Sequence, residues 1–223
     1  MVATIDPTSL AHRIEHTLLR PGATRSEVAQ LCREAMEHRF VAVCVNGCRV
    51  LEAAALLEES DVKVGTVIGF PFGAMDADAK RYETEVAVDN GAGEIDVVLN
   101  IGWLKDGEDS AVLRELRDVV EAADERPVKV ILETCLLTRD EKIRACKLVL
   151  ESGAQYVKTS TGFGALNGTV EDVQLLREIV GDAFGVKAAG GIRDAATAMA
   201  MIRAGADRLG TSAGVQIVRM AGV

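Results

Sequence analysis

From residue 14 to residue 210 the sequence repeats one unit: a short apolar run, a turn, and an amphipathic stretch of helical period. The apolar runs are Ile14–Leu19, Phe40–Val45, Val62–Ile68, Ile95–Leu99, Val128–Glu133, Tyr156–Lys158, Gly185–Ala189 and Asp207–Gly210. Most are apolar at successive positions rather than at alternate ones. A strand of that kind is buried on both faces, which happens when parallel strands are covered by helices. Eight such units are the number that closes a (β/α) barrel.

The intervening stretches carry helix-start signals. Thr24 with Glu27, and Thr138 with Glu141, are capping boxes, in which each side chain bonds the other residue's backbone N–H. Val28, Leu31, Cys32 and Ala35 then fall on one helical face. Further helices are expected through Ala53 to Leu57, up to about Asn90, from near Asp109 to Ala123, from about Thr169 to Val180, and from near Asp194, with Ser212 opening a last short one. Asp6 and Pro7 form an N-cap and N1 pair for a short extra helix to Arg13, ahead of the first strand. The fold expected is α/β, a single (β/α)8 TIM barrel over residues 1–223, with no second domain. An open doubly wound sheet is the runner-up, but it usually carries Gly-x-Gly-x-x-Gly after its first strand, and no such turn is found. Apolar residues make up 48% and aromatics 4%, so alanine, valine and leucine are expected to fill the barrel interior in layers.

Net charge is −9, which argues against a general role on nucleic acid or on an anionic membrane. A local nest of amides can still bind phosphate on an acidic protein. The five cysteines (Cys32, Cys44, Cys48, Cys135, Cys146) have neither the pairing of a zinc site nor the even number of a disulfide framework. No secretory signal and no membrane-length apolar run is visible. The expectation is a reduced cytoplasmic protein with small-molecule partners and neither metal nor cofactor.

In such barrels the reactive groups stand at the C-terminal ends of strands. Polar residues are conspicuous there because the strands are otherwise so apolar: Asp96, Lys158 and Lys187. Taken alone, Lys158 is a strand-end lysine that snorkels to water, and Asp96 is a structural acid bonded to neighbouring backbone. Together they say more. Lys158 and Lys187 lie on consecutive strands, hence side by side in one lumen, and their mutual repulsion drives one toward the neutral amine. A nucleophilic amine, a neighbouring cation and a carboxylate that moves protons are the parts of a Schiff-base aldolase. The turns Ala189-Gly190-Gly191-Ile192-Arg193-Asp194 and Leu209-Gly210-Thr211-Ser212-Ala213-Gly214 follow the last two strands, the usual phosphate position. Gly190, Gly191 and Gly210 allow close backbone approach there, and the Ser212 hydroxyl adds a donor.

These residues resemble the deoxyribose-phosphate aldolase family, class I aldolases that cleave 2-deoxy-D-ribose 5-phosphate to D-glyceraldehyde 3-phosphate and acetaldehyde. The resemblance is carried by His16-Thr17-Leu18-Leu19, Val43-Cys44-Val45-Asn46, Val67-Ile68-Gly69-Phe70-Pro71, Glu94-Ile95-Asp96-Val97-Val98, Val157-Lys158-Thr159-Ser160-Thr161-Gly162-Phe163, Gly185 through Arg193, and Gly210-Thr211-Ser212. It implies that Lys158 forms the Schiff base, Lys187 perturbs it, and Asp96 exchanges protons. It further implies that Gly190, Gly191, Gly210 and Ser212 hold the phosphate, that Thr161 contacts substrate, that Cys44 and Glu15 line the site, and that the protein is a homodimer or other homo-oligomer.

The sequence departs from the family pattern in three places. Glu15 stands where the family commonly has Asp, one methylene shorter. Gly47-Cys48 follows Asn46 where Pro and an aromatic are frequent. Some members end in a tail tyrosine credited with proton transfer, whereas this sequence ends Met220-Ala221-Gly222-Val223, so proton transfer is expected to rest on Asp96 and water. The competing readings are another Schiff-base phosphosugar aldolase or transaldolase, and a non-catalytic phosphometabolite-binding barrel.

Overall fold

The computed structural model describes residues 10–222. Eight parallel strands close one barrel in chain order: β1 (Ile14–Leu18), β2 (Ala42–Val45), β3 (Lys63–Ile68), β4 (Glu94–Val98), β5 (Val128–Ile131), β6 (Tyr156–Lys158), β7 (Gly185–Ala189) and β8 (Arg208–Thr211). Closure comes through β1 and β8, which pair Glu15 with Gly210. Helices fill the crossovers: α1 (Arg25–Glu37), α2 (Val50–Leu56), α3 (Ala77–Asp89), α4 (Ile101–Asp106), α5 (Asp109–Ala122), α6 (Arg139–Ser152), α7 (Val170–Val180), α8 (Ala195–Arg203) and α9 (Gly214–Met220). The barrel architecture is the one expected.

Local chemistry accounts for the element ends. The Glu27 carboxylate accepts from the Thr24 backbone N–H at 2.9 Å and fixes the start of α1. Thr138 and Glu141 exchange side-chain and backbone bonds at the start of α6, and Thr169 caps α7 in the same way with Asp172. Val28, Leu31, Cys32 and Ala35 are the buried face of α1, as their spacing requires. Two differences at helix starts stand out, and the strand expected to run to Glu133 ends at Ile131. The last helix begins at Gly214, because Ser212 and Ala213 turn first after β8 and the Thr211 hydroxyl accepts the Ala213 N–H at 2.9 Å. Helix α4 is an addition, capped by the Asn100 side chain, which accepts from the Trp103 N–H at 3.2 Å. Of the expected opening helix, Leu10 and Ala11 are helical and buried, and residues 1–9 lie outside the described residues.

The core sits elsewhere than composition implies. Val97, Val130, Val157 and Val186 join the main apolar cluster. On the same strands Asp96, Lys129, Lys158 and Lys187 alternate with them and meet one another in the lumen. Successive residues of a strand face opposite ways, so the apolar core is the layer between barrel wall and helices. The middle of the lumen is packed with ion pairs instead of layered aliphatic side chains. This corrects the expectation of an alanine, valine and leucine interior. A small apolar patch of Leu19, Cys44 and Val67, with Phe70 against it, forms a separate cluster.

Candidate active site

Register sets the geometry. Lys158 on β6 is paired with Lys187 on β7, and Asp96 on β4 with Lys129 on β5. Asp96 is fully buried and its Oδ2 accepts from Lys158 Nζ at 2.7 Å and Lys187 Nζ at 2.6 Å, while Oδ1 accepts from Lys129 Nζ at 2.9 Å. Lys187 also donates to Glu15 Oε2, which stands 3.6 Å from Lys129 Nζ. Glu15 is thus fully buried and in contact with a lysine, so the longer side chain still reaches its partner. Lys129 pairs with Glu94 at 2.6 Å, and Arg208 lies 3.5 Å from the same carboxylate.

Four basic side chains (Lys129, Lys158, Lys187, Arg208) therefore meet three carboxylates (Glu15, Glu94, Asp96). One cation is in surplus. Lys158 is the lysine with fewest acceptors, donating to Asp96 alone. Burial pulls its pKa down, Asp96 draws it back, Lys187 pushes it down again, and the net direction is downward. For Lys187 burial acts downward too, but Asp96 and Glu15 outweigh it and hold the ammonium charged. Burial would raise Asp96, yet Lys129, Lys158 and Lys187 together hold it well below the usual carboxylate range. Lys129 is held raised against burial by Asp96, Glu15 and Glu94. Around Asp96 itself the cluster therefore has one firm anion, two firm cations in Lys129 and Lys187, and one amine, Lys158, whose pKa is lowered.

Lys158 also stands at the edge of a cavity of about 300 Å³. The same cavity is lined by Thr161, Gly190, Gly191, Gly210 and Ser212, so the structure brings together Lys158 and every residue expected to contact substrate or phosphate. Gly190 (φ 90°) and Gly191 (φ 72°) adopt the left-handed backbone that glycine tolerates, and a Cβ on Gly191 would come within 2.6 Å of the Asn167 amide. Gly210 has a second use: a Cβ there would stand 3.1 Å from Lys187 Cε, so its bareness gives that lysine room. The Thr159 hydroxyl donates to the Ala189 carbonyl at 3.1 Å and accepts the Ala189 N–H at 3.0 Å, which locks the end of β6 to the glycine turn after β7.

Neither Cys44 nor Glu15 lines the cavity: Glu15 is buried beneath it on Lys187. Cys44 stands behind the cavity wall. It is fully buried behind the site, and burial together with Asp96 pushes its thiol up to about 11, so it is an inert wall. Lys187 and Asp96 likewise lie beneath the cavity, where Asp96 touches Lys158 and Lys187 is its neighbour across the strand pair. Sequence reasoning missed Lys129, Glu94, Arg20 and Arg193. Lys129 carries the signal that singled out Lys187, a lysine inside an apolar strand. Arg20 and Arg193 bring positive charge to the cavity wall. Among the described residues no group of three or more His, Cys, Asp or Glu side chains is placed to hold a metal ion.

A model of the DeoC/LacD family aldolases matches residues 8–220. The chain is 54% identical over 211 residues to the deoxyribose-phosphate aldolase of Geobacillus sp. (strain WCH70), covering 94% of this chain and 95% of that protein. It is 54% identical over 213 residues to the one from Thermococcus gammatolerans, covering 94% and 95% respectively. Its fold is similar to the tetrameric deoxyribose phosphate aldolase from Aeropyrum pernix, with a TM-score of 0.91 and 34% identity over 97% of this chain and 92% of that one.

Proposed function

The chain belongs to the DeoC/LacD aldolase family, and from that premise we propose that it cleaves 2-deoxy-D-ribose 5-phosphate reversibly to D-glyceraldehyde 3-phosphate and acetaldehyde, through a Schiff base on Lys158. One observation carries the assignment of the nucleophile: Lys158 opens onto the cavity, has a lowered pKa, and lies 2.7 Å from the Asp96 carboxylate.

The neutral Lys158 amine attacks the C1 aldehyde of the open-chain sugar, and loss of water gives an iminium. The C2–C3 bond then breaks, its electron pair flowing into the iminium to form an enamine, while the C3 hydroxyl loses its proton and becomes the new aldehyde. Protonation at C2 and hydrolysis release acetaldehyde and the free lysine. Asp96 is the acid and base for these transfers, directly or through water. Lys187 remains an ammonium and keeps Lys158 short of protons. Amides of Gly190, Gly191 and Gly210 with the Ser212 hydroxyl hold the phosphate, and Arg20 and Arg193 supply charge beside it. Glu15 and Lys129 hold Lys187 and Asp96 in place.

We read the whole chain as one catalytic domain and the protein as a cytoplasmic homo-oligomer acting on small phosphosugars. The reading of oligomerisation is supported by the relative whose structure is tetrameric. No helix among the described residues is long and apolar enough to cross a membrane. The decisive test is borohydride reduction in the presence of acetaldehyde, followed by peptide mapping. A two-carbon adduct on Lys158, absent from Lys158→Ala, is expected. A folded protein with no adduct would overturn the assignment and leave a phosphometabolite-binding barrel. Preference for a dihydroxyacetone donor over acetaldehyde would point to a different phosphosugar aldolase.

A further inference from the structure

Glu133 follows β5 with a left-handed backbone (φ 53°) and is 4% exposed. The other non-glycine residues of that backbone sign, Arg39, Asp124 and Glu125, are exposed. A buried carboxylate is costly unless something compensates it. The buried lysines pair with Asp96, Glu15, Glu94 and Glu115, and among the described residues no ion pair engages Glu133. Its partners all belong to its own turn or to the loop after β6. Oε2 accepts the Thr161 N–H at 3.2 Å and also the Thr161 hydroxyl. Oε1 accepts from Cys135 Sγ at 3.8 Å, and Gly164 packs so near that a Cβ there would stand 3.3 Å from it.

This arrangement fixes the polarity of Thr161. Glu133 Oε2 already accepts the Thr161 N–H and so serves as an acceptor oxygen, and a hydroxyl has one proton to give. The Thr161 proton goes to Glu133, and Thr161 Oγ1 accepts the Phe163 N–H at 3.0 Å. What the hydroxyl can offer the cavity is its remaining lone pair. Phosphate oxygens and an aldehyde oxygen are acceptors and gain nothing from it. A substrate hydroxyl is a donor and does.

We propose that Glu133 is a positioning residue that holds Thr161 as a hydrogen-bond acceptor, and that this pair selects the direction of the hydroxyl next to the aldehyde on the phosphorylated fragment. The proposal rests on the aldolase reading above and adds to it a residue outside the cavity that sets stereochemical preference. D- and L-glyceraldehyde 3-phosphate differ only in where that hydroxyl points. Loss of that contact is therefore read as a change in the ratio between the two enantiomers.

The test measures kcat/KM for both enantiomers with saturating acetaldehyde, alongside borohydride trapping of acetaldehyde on Lys158. In Glu133→Ala the acetaldehyde adduct is expected to form as in the unaltered protein, while the preference between enantiomers falls roughly tenfold, the scale of one net hydrogen bond. Glu133→Gln, which keeps an oxygen to receive the Thr161 proton, should stay within about threefold of the original ratio. Thr161→Val removes the hydroxyl while Glu133 stays, and should lose the preference as Glu133→Ala does, even if that variant fails to fold. A ratio unchanged in Thr161→Val, or both enantiomers slowed equally in a folded Glu133→Ala with a normal adduct, would overturn the proposal and leave the aldolase reading standing. Absence of the adduct from the unaltered protein would sink both.

Discussion

Two buried lysines in this molecule look alike by most measures, and only one of them is the nucleophile we propose. Lys80, on α3, is fully buried, and its Nζ donates to Glu115 Oε1 at 2.7 Å and to the Val98 carbonyl at 2.9 Å. Burial lowers its pKa against the pull of Glu115. Lys158 shares the burial, the carboxylate partner and the direction of the shift. Three things separate them. Lys80 has two acceptors where Lys158 has one, Lys158 faces a second ammonium across the strand pair, and Lys158 opens onto a cavity. The Lys80 stem is instead packed so tightly under Gly69 that a Cβ there would come within 2.8 Å of its Cε. A lowered lysine pKa therefore marks burial, and access with a neighbouring cation marks a nucleophile.

The sharpest way to break this contrast is to remove each lysine in turn. Lys158→Ala should cost about 10⁴-fold or more in kcat, since the covalent route is lost. Folding stability should barely change, because the lysine removed is the surplus charge. Lys80→Met should leave kcat within about threefold but destabilise by ~3–5 kcal/mol, as Glu115 is left buried and unpaired. Urea unfolding and steady-state kinetics on both variants check this, and equal losses of activity would dissolve the distinction. Adding Glu115→Leu to Lys80→Met should recover most of that stability, as replacing a whole buried pair by apolar groups often does.

A smaller effect is expected at Asp96. Asp96→Asn should lower kcat by about 10²–10³-fold through loss of proton transfer. Lys187→Met tests the neighbouring cation. Without it Lys158 loses a charge that pushed its pKa down while Asp96 still draws it up, so the Lys158 pKa rises. The neutral amine then appears only at higher pH, and the acid limb of the pH–rate profile should move upward, with activity at pH 7 down by roughly 10²-fold. A limb that stays in place or moves downward would show that Lys187 does not set the Lys158 proton. Glu15→Asp should have the least effect, a few-fold at most, measured as kcat, because Lys187 keeps its Asp96 contact.

How much of this could be read beforehand depends on where each signal lives. The strands and helix caps were legible because they are local: Thr24 with Glu27 and Thr138 with Glu141 fix helix starts within three residues. Lys158, Lys187 and Asp96 were legible because a charge inside an apolar strand is anomalous wherever the strand sits. Lys129 met the same criterion and was passed over. Lys80 could not be found in this way. It lies in Ala79-Lys80-Arg81-Tyr82-Glu83, which reads as a solvated helix face, and only the packing of α3 on α5 buries it. Glu133 was absorbed into its strand, since nothing in Leu132-Glu133-Thr134 announces a left-handed backbone. Cys44, read as lining the site, belongs to the wall behind it, a distinction of depth that a motif does not carry.

The contacts around Lys158, the nucleophile in the mechanism we propose, join residues far apart in the chain. Asp96 lies 62 positions from Lys158 and 91 from Lys187, and Glu15 lies 172 from Lys187. Closing loops of that size is an unfavourable step that must precede any gain from the contacts. A nascent chain that has made β6 but not β7 thus holds an ordinary lysine at position 158. The neighbouring cation arrives with β7, and the cluster is complete and buried only when β8 joins β1. In the proposed mechanism ring closure is thereby also the step that completes the site, and partly folded chains would be spared reaction with stray aldehydes at this lysine.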